Sequence, residues 1–413
     1  VTERELARSL FQASGSGKAA EEGKQSATRS EDGDAPLTLQ QMLREILEGL
    51  GAPLELRLAQ VVENAGGRTL NAFKLGGLLA FYHVTLVDVL GSDSSVVDAL
   101  SRCRRDMNTR FQSLLRGIAK DIQDNLKECL MHITGGTEQR RAHPSADRNS
   151  LMSLDLQPSA ALKELLQVLS MILNVSATAL TPATEEEADL SPILAAFLQP
   201  FMQEQQAFLA RAQKITADGS SGGIDVRLFA DSSCDEAIFF MNSFMSARRI
   251  VEPAESQVLL PDDPSLVQEK SLQSLQHWLK TLDQGAAQLR QVVVDVHSRR
   301  VLEKTGLAAL LEARAAALAS EDDAPLSEYP TLGLEAVRVV IDAFNGALFT
   351  IFVPDFERIT DPDEKNTARV DTMTKVADGY ATIWEMVMDE KQGYADRSFL
   401  VHAPEQVRIL LDV

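Results

Sequence analysis

The chain has 413 residues, too many for one compact core at roughly 100–200 residues per domain, so roughly two to four units are expected. Its net charge of -20 excludes a general nucleic-acid role, because gripping a phosphate backbone needs a basic face. Aromatic residues are only 5% against an apolar fraction of 45%, so Leu, Ala and Val must fill the interior, which favours helix on helix over a sandwich or barrel.

Val1 to Gln12 reads as the end of a helix, giving a first unit of residues 1–13. Residues 14–36 are rich in Gly, Ser, Lys and Glu and cannot bury enough apolar surface to offset ordering entropy, so they are expected to form a disordered linker. Helical periodicity begins at Leu37. It runs to Asn64 with a break expected at Gly49-Leu50-Gly51-Ala52-Pro53, then resumes as a very apolar helix over Leu70–Leu90. Asp93 is placed to cap the next helix, which carries Val96, Leu100, Met107, Phe111, Leu115, Ile118, Ile122 and Leu126 at helical spacing to about Ile133. A polar connection over Gly135–Ser150 follows, then helices at Ser159–Leu180, Pro192–Thr216 and Leu228–Val251.

Pro253, Pro261 and Pro264 bracket acidic residues and mark the best domain boundary, dividing a bundle region at 37–255 from a C-terminal bundle at 256–413. Beyond it one long helix is expected from Ser265 to about Ala319. It carries the clearest pattern in the chain: Leu272, Leu275, Leu279, Leu282, Ala286, Leu289, Val293 and Val296 lay one seam along a helix face. Such a seam must be buried, and a packed bundle core is favoured over an open coiled coil. Further helices are expected near Leu332–Phe352, Glu364–Glu390 and from Pro404. Val292–Val296 and Ala347–Val353 have strand-like composition, but no partner strand is in view, so both read as helix.

Cys103, Cys129 and Cys234 are few and far apart, which fits a reducing compartment without a disulfide framework. No run reads as a membrane span. No signal peptide is apparent, and a start at Val1 suggests a piece of something longer. Gly15-Ser16-Gly17-Lys18 hints at a phosphate loop but is followed by Ala19, not Ser or Thr, with no strand before it. Gly219-Ser220-Ser221-Gly222-Gly223 matches a nucleophile elbow in letters only, lying in a glycine-rich loop after a helix. His83, His132, His143, His277, His297 and His402 are scattered without a local metal-ligand partner, and neither Asp262-Asp263 nor Asp322-Asp323 completes a diphosphate-binding motif. No catalytic residue, metal site or cofactor is therefore assigned. The basic groups Arg102, Arg104, Arg105, Arg248 and Arg249 are the candidate partner-binding residues, facing an acidic helix or anionic headgroups.

Five stretches taken in order resemble one family. Lys74–Gly91 (KLGGLLAFYHVTLVDVLG) is a leucine-rich helix carrying Phe81-Tyr82-His83 and ending at glycine. Pro158–Asn174, Phe239–Pro253 with its Met and Asn residues, the break at Leu302–Leu307 and the tail Ala403–Val413 complete the series. Together they resemble the C-terminal part of the sixth subunit of the conserved oligomeric Golgi complex. That resemblance implies an all-α, elongated rod of consecutive helical bundles of the tethering-complex type. It also implies a peripheral place on the cytoplasmic face of the Golgi and a role in tethering vesicles for retrograde transport within that organelle. The implied partners are the other subunits of the tethering complex, SNARE proteins and Rab-type GTPases, with the Golgi membrane reached indirectly. No catalytic residue is carried over. The rival readings are an exocyst-like rod, an all-helical enzyme with a site formed only in space, and a passive helical scaffold.

Overall fold

In a computed structural model of the chain, residues 39–65, 67–142, 156–178, 189–217, 224–258, 266–319, 324–351 and 353–413 are described. The helix end at 1–13, the linker at 14–36 and the loop at 219–223 lie outside them. Among the described residues there is no strand. The helices are α1 (Leu39–Leu47), α2 (Gly51–Ala65), α3 (Thr69–Leu90), α4 (Ser95–Ala142), α5 (Ala160–Thr178), α6 (Ser191–Ala217), α7 (Ile224–Val258), α8 (Leu266–Thr305), α9 (Leu307–Ala319), α10 (Leu334–Ala347), α11 (Pro362–Met388) and α12 (Pro404–Leu410).

Two of these helices set the proportions. At 1.5 Å per residue the 48 residues of α4 run about 72 Å, and the 40 of α8 about 60 Å. A compact globule of 413 residues would be only about 55 Å across. The packing follows that length. α1–α3 gather on the start of α4, α5–α7 pack along its later turns, and α7 lies against α8 in the most extensive helix pairing. α9–α12 then build on α8 and α11. The result is an all-α, elongated succession of bundles, as the sequence implied.

The seam on α8 is where burial is densest. Leu275, Leu282, Ala286, Leu289 and Val293 are fully buried, with Leu279 and Val296 packed at the margin. Each such Leu or Val contributes about 1.5–3 kcal/mol on leaving water. One continuous core runs from Val62 to Leu411, and a small satellite around Leu90, Val96 and Val97 closes the end formed by α1–α4.

Several boundaries differ from the sequence reading, each for a local reason. The break at Gly49–Pro53 is only a 3₁₀ turn at Glu48–Leu50, because Pro53 sits in the first turn of α2, where its missing N–H costs nothing. α4 starts at Ser95, so Asp93 is too early to cap it and instead accepts from the Ser92 hydroxyl. α4 also continues past Ile133 to Ala142, through Gly135 and Gly136, which on propensity alone would have ended it, into the helix-forming Glu138–Ala142. α7 runs through Pro253 to Val258: Pro253 lies near its end, where one lost backbone bond is tolerated. The long helix expected from Ser265 to Ala319 is two helices. Gly306 takes φ +83°, a left-handed conformation that an α-helix cannot contain, and α9 starts afresh at Leu307. Within Ala347–Val353 the helix ends at Ala347, a 3₁₀ turn covers Leu348–Thr350, and Ile351 and Val353 are extended, so the expected helix does not continue and the described residues form no strand. α11 begins at Pro362, two residues before the expected start, because Asp361 caps the amides of Asp363 and Glu364.

The membrane reading is also corrected. Thr69–Leu90 and Ala160–Ala177 are helices long and apolar enough to cross a membrane, by length and composition, as is the stretch 334–358. Lys74 and Asp88 interrupt the first run without lowering its mean enough to exclude it. Here α3 and α5 lie side by side with α4, each burying one face in the core.

Candidate interaction surfaces and a buried polar cluster

Large apolar side chains remain exposed mainly at the two ends of the bundle series. At the first end α1–α3 show Ile46 (73% exposed), Leu56, Val61, Leu78 and Tyr82. Scattered exposed apolar residues are ordinary; because these fall on three neighbouring helices, this end is a candidate docking surface. Tyr82 is exposed and meets Phe81 edge to face at 5.5 Å. His83 beside it is half-buried.

At the far end a groove of about 550 Å³ lies between the turn after α10, α11 and the tail. Leu348, Phe349, Val353, Met373 and Leu410 give it an apolar floor, with Phe349 76% exposed. Two ion pairs rim it, Lys365 to Glu357 at 2.6 Å and Arg369 to Asp412 at 2.9 Å. Beneath this end Tyr380 is fully buried, stacked on Phe344 at 5.0 Å, and donates to the His402 carbonyl at 2.6 Å. Burial pushes its phenol up to about 12. Trp384 is only partly buried against the same core.

The five candidate arginines do not form one patch. Arg102 on α4 makes a two-pronged bond to Glu55 on α2 at 2.9 and 2.8 Å, which holds that carboxyl below its ordinary range. Arg104 is half-buried, and exposed Arg105 donates to the Ser101 carbonyl at 3.4 Å. Arg248 reaches Asp283 on α8 at 3.5 Å and Glu252 at 3.8 Å. It lines a shallow groove between α7 and α8 in which Glu252, Glu255 and Asp283 outnumber it. Arg249 pairs with Asp361, the cap of α11, at 3.2 Å. Arg102, Arg248 and Arg249 thus brace one helix to another.

Sequence reading missed a third feature entirely. α7 carries an unbroken run of buried polar groups, Ser233, Cys234, Asp235 and Glu236. Cys234 Sγ lies 3.1 Å from Nε2 of His297 on α8, and Asp355 Oδ2, on the 3₁₀ turn Pro354–Arg358, lies 3.7 Å from the same nitrogen. Arg358 bonds Asp235 at 2.7 Å and approaches Asp355 Oδ1 at 3.5 Å, while Arg300 reaches Asp355 Oδ2 at 3.4 Å. Burial drives the Cys234 thiol well above its usual range, helped by the charges of Asp355 and Asp235, and lowers His297 against the pull of Asp355. In a nucleophile–base–orienter set the carboxylate holds the ring nitrogen away from the nucleophile. Here thiol and carboxylate converge on one nitrogen, and the thiol is held protonated, so this trio lacks the polarity of a catalytic triad. Local spacing could not reveal it, since its members are contributed by three separate elements.

This lengthened, all-α succession of bundles is of the helical-rod type. The chain belongs to the family described as Conserved Oligomeric Golgi complex subunit 6, C-terminal, which matches residues 1–411. It is 23% identical over 427 residues to Conserved oligomeric Golgi complex subunit 6 of Arabidopsis thaliana, covering 100% of this chain and 57% of that protein. The subunit 6 of Homo sapiens is 22% identical over 378 residues, covering 90% and 48%. That of Pyricularia oryzae is 29% identical over 164 residues, covering 40% and 20%. The chain spans about half the length of the curated relatives it matches. No solved structure matches it.

Proposed function

We propose that this chain is the C-terminal body of a Golgi vesicle-tethering subunit and works by presenting surfaces, not by catalysis. The supporting observation is the family match over residues 1–411 joined to a lengthened helical body with exposed apolar side chains at both ends. In this reading one end joins the other subunits of the complex, and the remaining surface receives SNARE helices, which dock by their apolar faces in grooves, and Rab-type GTPases. The protein sits peripherally on the cytoplasmic face of the Golgi and serves retrograde transport within it. Residues 37–255 and 256–413 act as two bundles that share the α7–α8 interface. Arg105, exposed and donating to a backbone carbonyl, is the basic residue best placed to meet an acidic partner, with Arg104 beside it on the same helix. Arg102, Arg248 and Arg249 would have to exchange an internal carboxylate for an external one.

The test is affinity capture with the full-length protein, comparing it with the double charge reversal Arg104→Glu/Arg105→Glu. Selective loss of a SNARE or Rab with the other subunits retained supports the assignment of these residues. Unchanged recovery of every partner rejects it. Intact Golgi glycosylation and enzyme retention after deletion of residues 37–413 would reject the transport role and leave a passive scaffold.

A further inference from the structure

We propose that Cys234, His297 and Asp355 bind a divalent cation of the zinc class, clipping the turn Pro354–Arg358 to α7 and α8. The site stands independently of the tethering role. Its three donors are of the kinds that suit such an ion, a sulfur, an imidazole nitrogen and one carboxylate oxygen, whereas calcium and magnesium demand mostly oxygen. All three donor atoms lie within 4.8 Å of one another, with Sγ to Nε2 at 3.1 Å and Nε2 to Oδ2 at 3.7 Å. Around tetrahedral zinc, ligand atoms 2.0–2.3 Å from the metal sit about 3.5 Å apart. Two edges of the triangle are therefore already close to that spacing. The third closes with a movement of the Asp355 carboxylate of at most about 1.3 Å.

The supports around the donors are those a metal site needs. Phe356 stands edge to face against the His297 ring at 5.2 Å and fixes its plane. Arg358 holds Asp355 by Oδ1, leaving Oδ2 turned toward His297. Arg300, the other group on Oδ2, is 36% exposed at its side chain and can give way toward solvent. Asp355 is 28% exposed, so the open side of the site admits water as fourth ligand. Without a cation, thiol and carboxylate compete for one nitrogen that carries at most one hydrogen. A cation satisfies all three lone pairs at once. The exchange balances: the ion enters, the Cys234 S–H bond breaks, a sulfur–metal bond forms, and one proton leaves to solvent. With Arg358 held against Asp235 and Asp355 and Arg300 close by, the loaded site carries no net negative charge, so binding is weaker than at a closed thiolate-rich site.

The experiment uses the full chain, stripped with chelator, dialysed and titrated with Co²⁺. The expected result is the visible bands of tetrahedral Co²⁺ with an ultraviolet thiolate charge-transfer band, saturating at one equivalent and bleached by Zn²⁺. Zn²⁺ at a hundredfold excess over its Kd should raise Tm by about 3 °C. Cys234→Ser should abolish the charge-transfer band, and the double variant Cys103→Ser/Cys129→Ser should retain it. Circular dichroism of each variant confirms that it is folded, and Asp355→Asn, at a partly exposed position, provides a milder second variant that should weaken Co²⁺ binding at least tenfold. A wild-type protein with neither band nor Tm rise overturns the proposal, and so does a band that survives in folded Cys234→Ser.

Discussion

Replacing Asn242 by leucine should remove a buried polar joint of four hydrogen bonds. Asn242 is fully buried on α7. Its Nδ2 donates to the carbonyls of Leu156 and Arg358, each at 2.9 Å. Its Oδ1 accepts from the backbone N–H and the hydroxyl of Thr360, also at 2.9 Å. One side chain thus ties the entry to α5 and the chain leading to α11 onto the core helix. Leucine matches the volume but makes none of the four bonds. Each is worth about 1 kcal/mol net, and the Leu156 carbonyl, left in buried surroundings, adds a desolvation penalty of about 1–3 kcal/mol. Leucine's own burial returns part of this, so the expected loss is about 3–5 kcal/mol. Urea unfolding followed by circular dichroism measures it as a lower midpoint at unchanged slope. Hydrogen exchange gives a second reading, since the Thr360 amide should lose protection before the α8 core does. A loss below about 1 kcal/mol, with Thr360 still protected, would refute the joint.

Three further outcomes follow from the packing. Gly306→Ala places a Cβ in left-handed backbone at φ +83° and 3.2 Å from a Val340 methyl; it should cost about 1–2 kcal/mol in urea unfolding, and an unchanged midpoint would contradict the break assigned there. Gly285→Ala would gain about 1 kcal/mol of helix propensity in an open helix, but its Cβ would stand 2.4 Å from the buried Phe244 ring, so a net loss of about 1–2 kcal/mol is expected and any gain would contradict the contact. Burial holds the phenols of Tyr380 and Tyr394 up to about 12, against an ordinary value of 10. Between those values the unfolded chain loses protons that the folded one keeps, so stability must fall as pH rises from 10 to 12, and ultraviolet titration with Tyr380→Phe and Tyr394→Phe should show two late-ionising phenols.

What the sequence revealed and concealed divides along physical lines. The seam on α8 was legible because periodicity repeats the same geometry every few residues, and burial follows directly from it. The continuation of α7 past Pro253 was not, because a proline forbids only one backbone bond and tertiary packing decides whether the helix survives it. Gly306 was legible as a family-like break, yet the long helix was still drawn through it, since helix formers lie on both sides. The arginines could be seen as basic but not as paired: Arg102 and Glu55, or Arg249 and Asp361, meet only through the fold. Cys234, His297 and Asp355 were invisible for the strongest version of that reason, being brought together by three elements with no shared spacing.

The central claim is that this body belongs to a Golgi tether and acts through its surfaces. Full-length protein and a form lacking residues 37–413 should each be expressed as the sole copy, captured, and compared for other Golgi tethering subunits, SNAREs and Rab-type GTPases. The account predicts that the intact protein brings down the complex with SNARE or Rab partners, and that the shortened form loses those partners along with intra-Golgi recycling. Recovery of the same partners by both forms, with recycling intact, would contradict it.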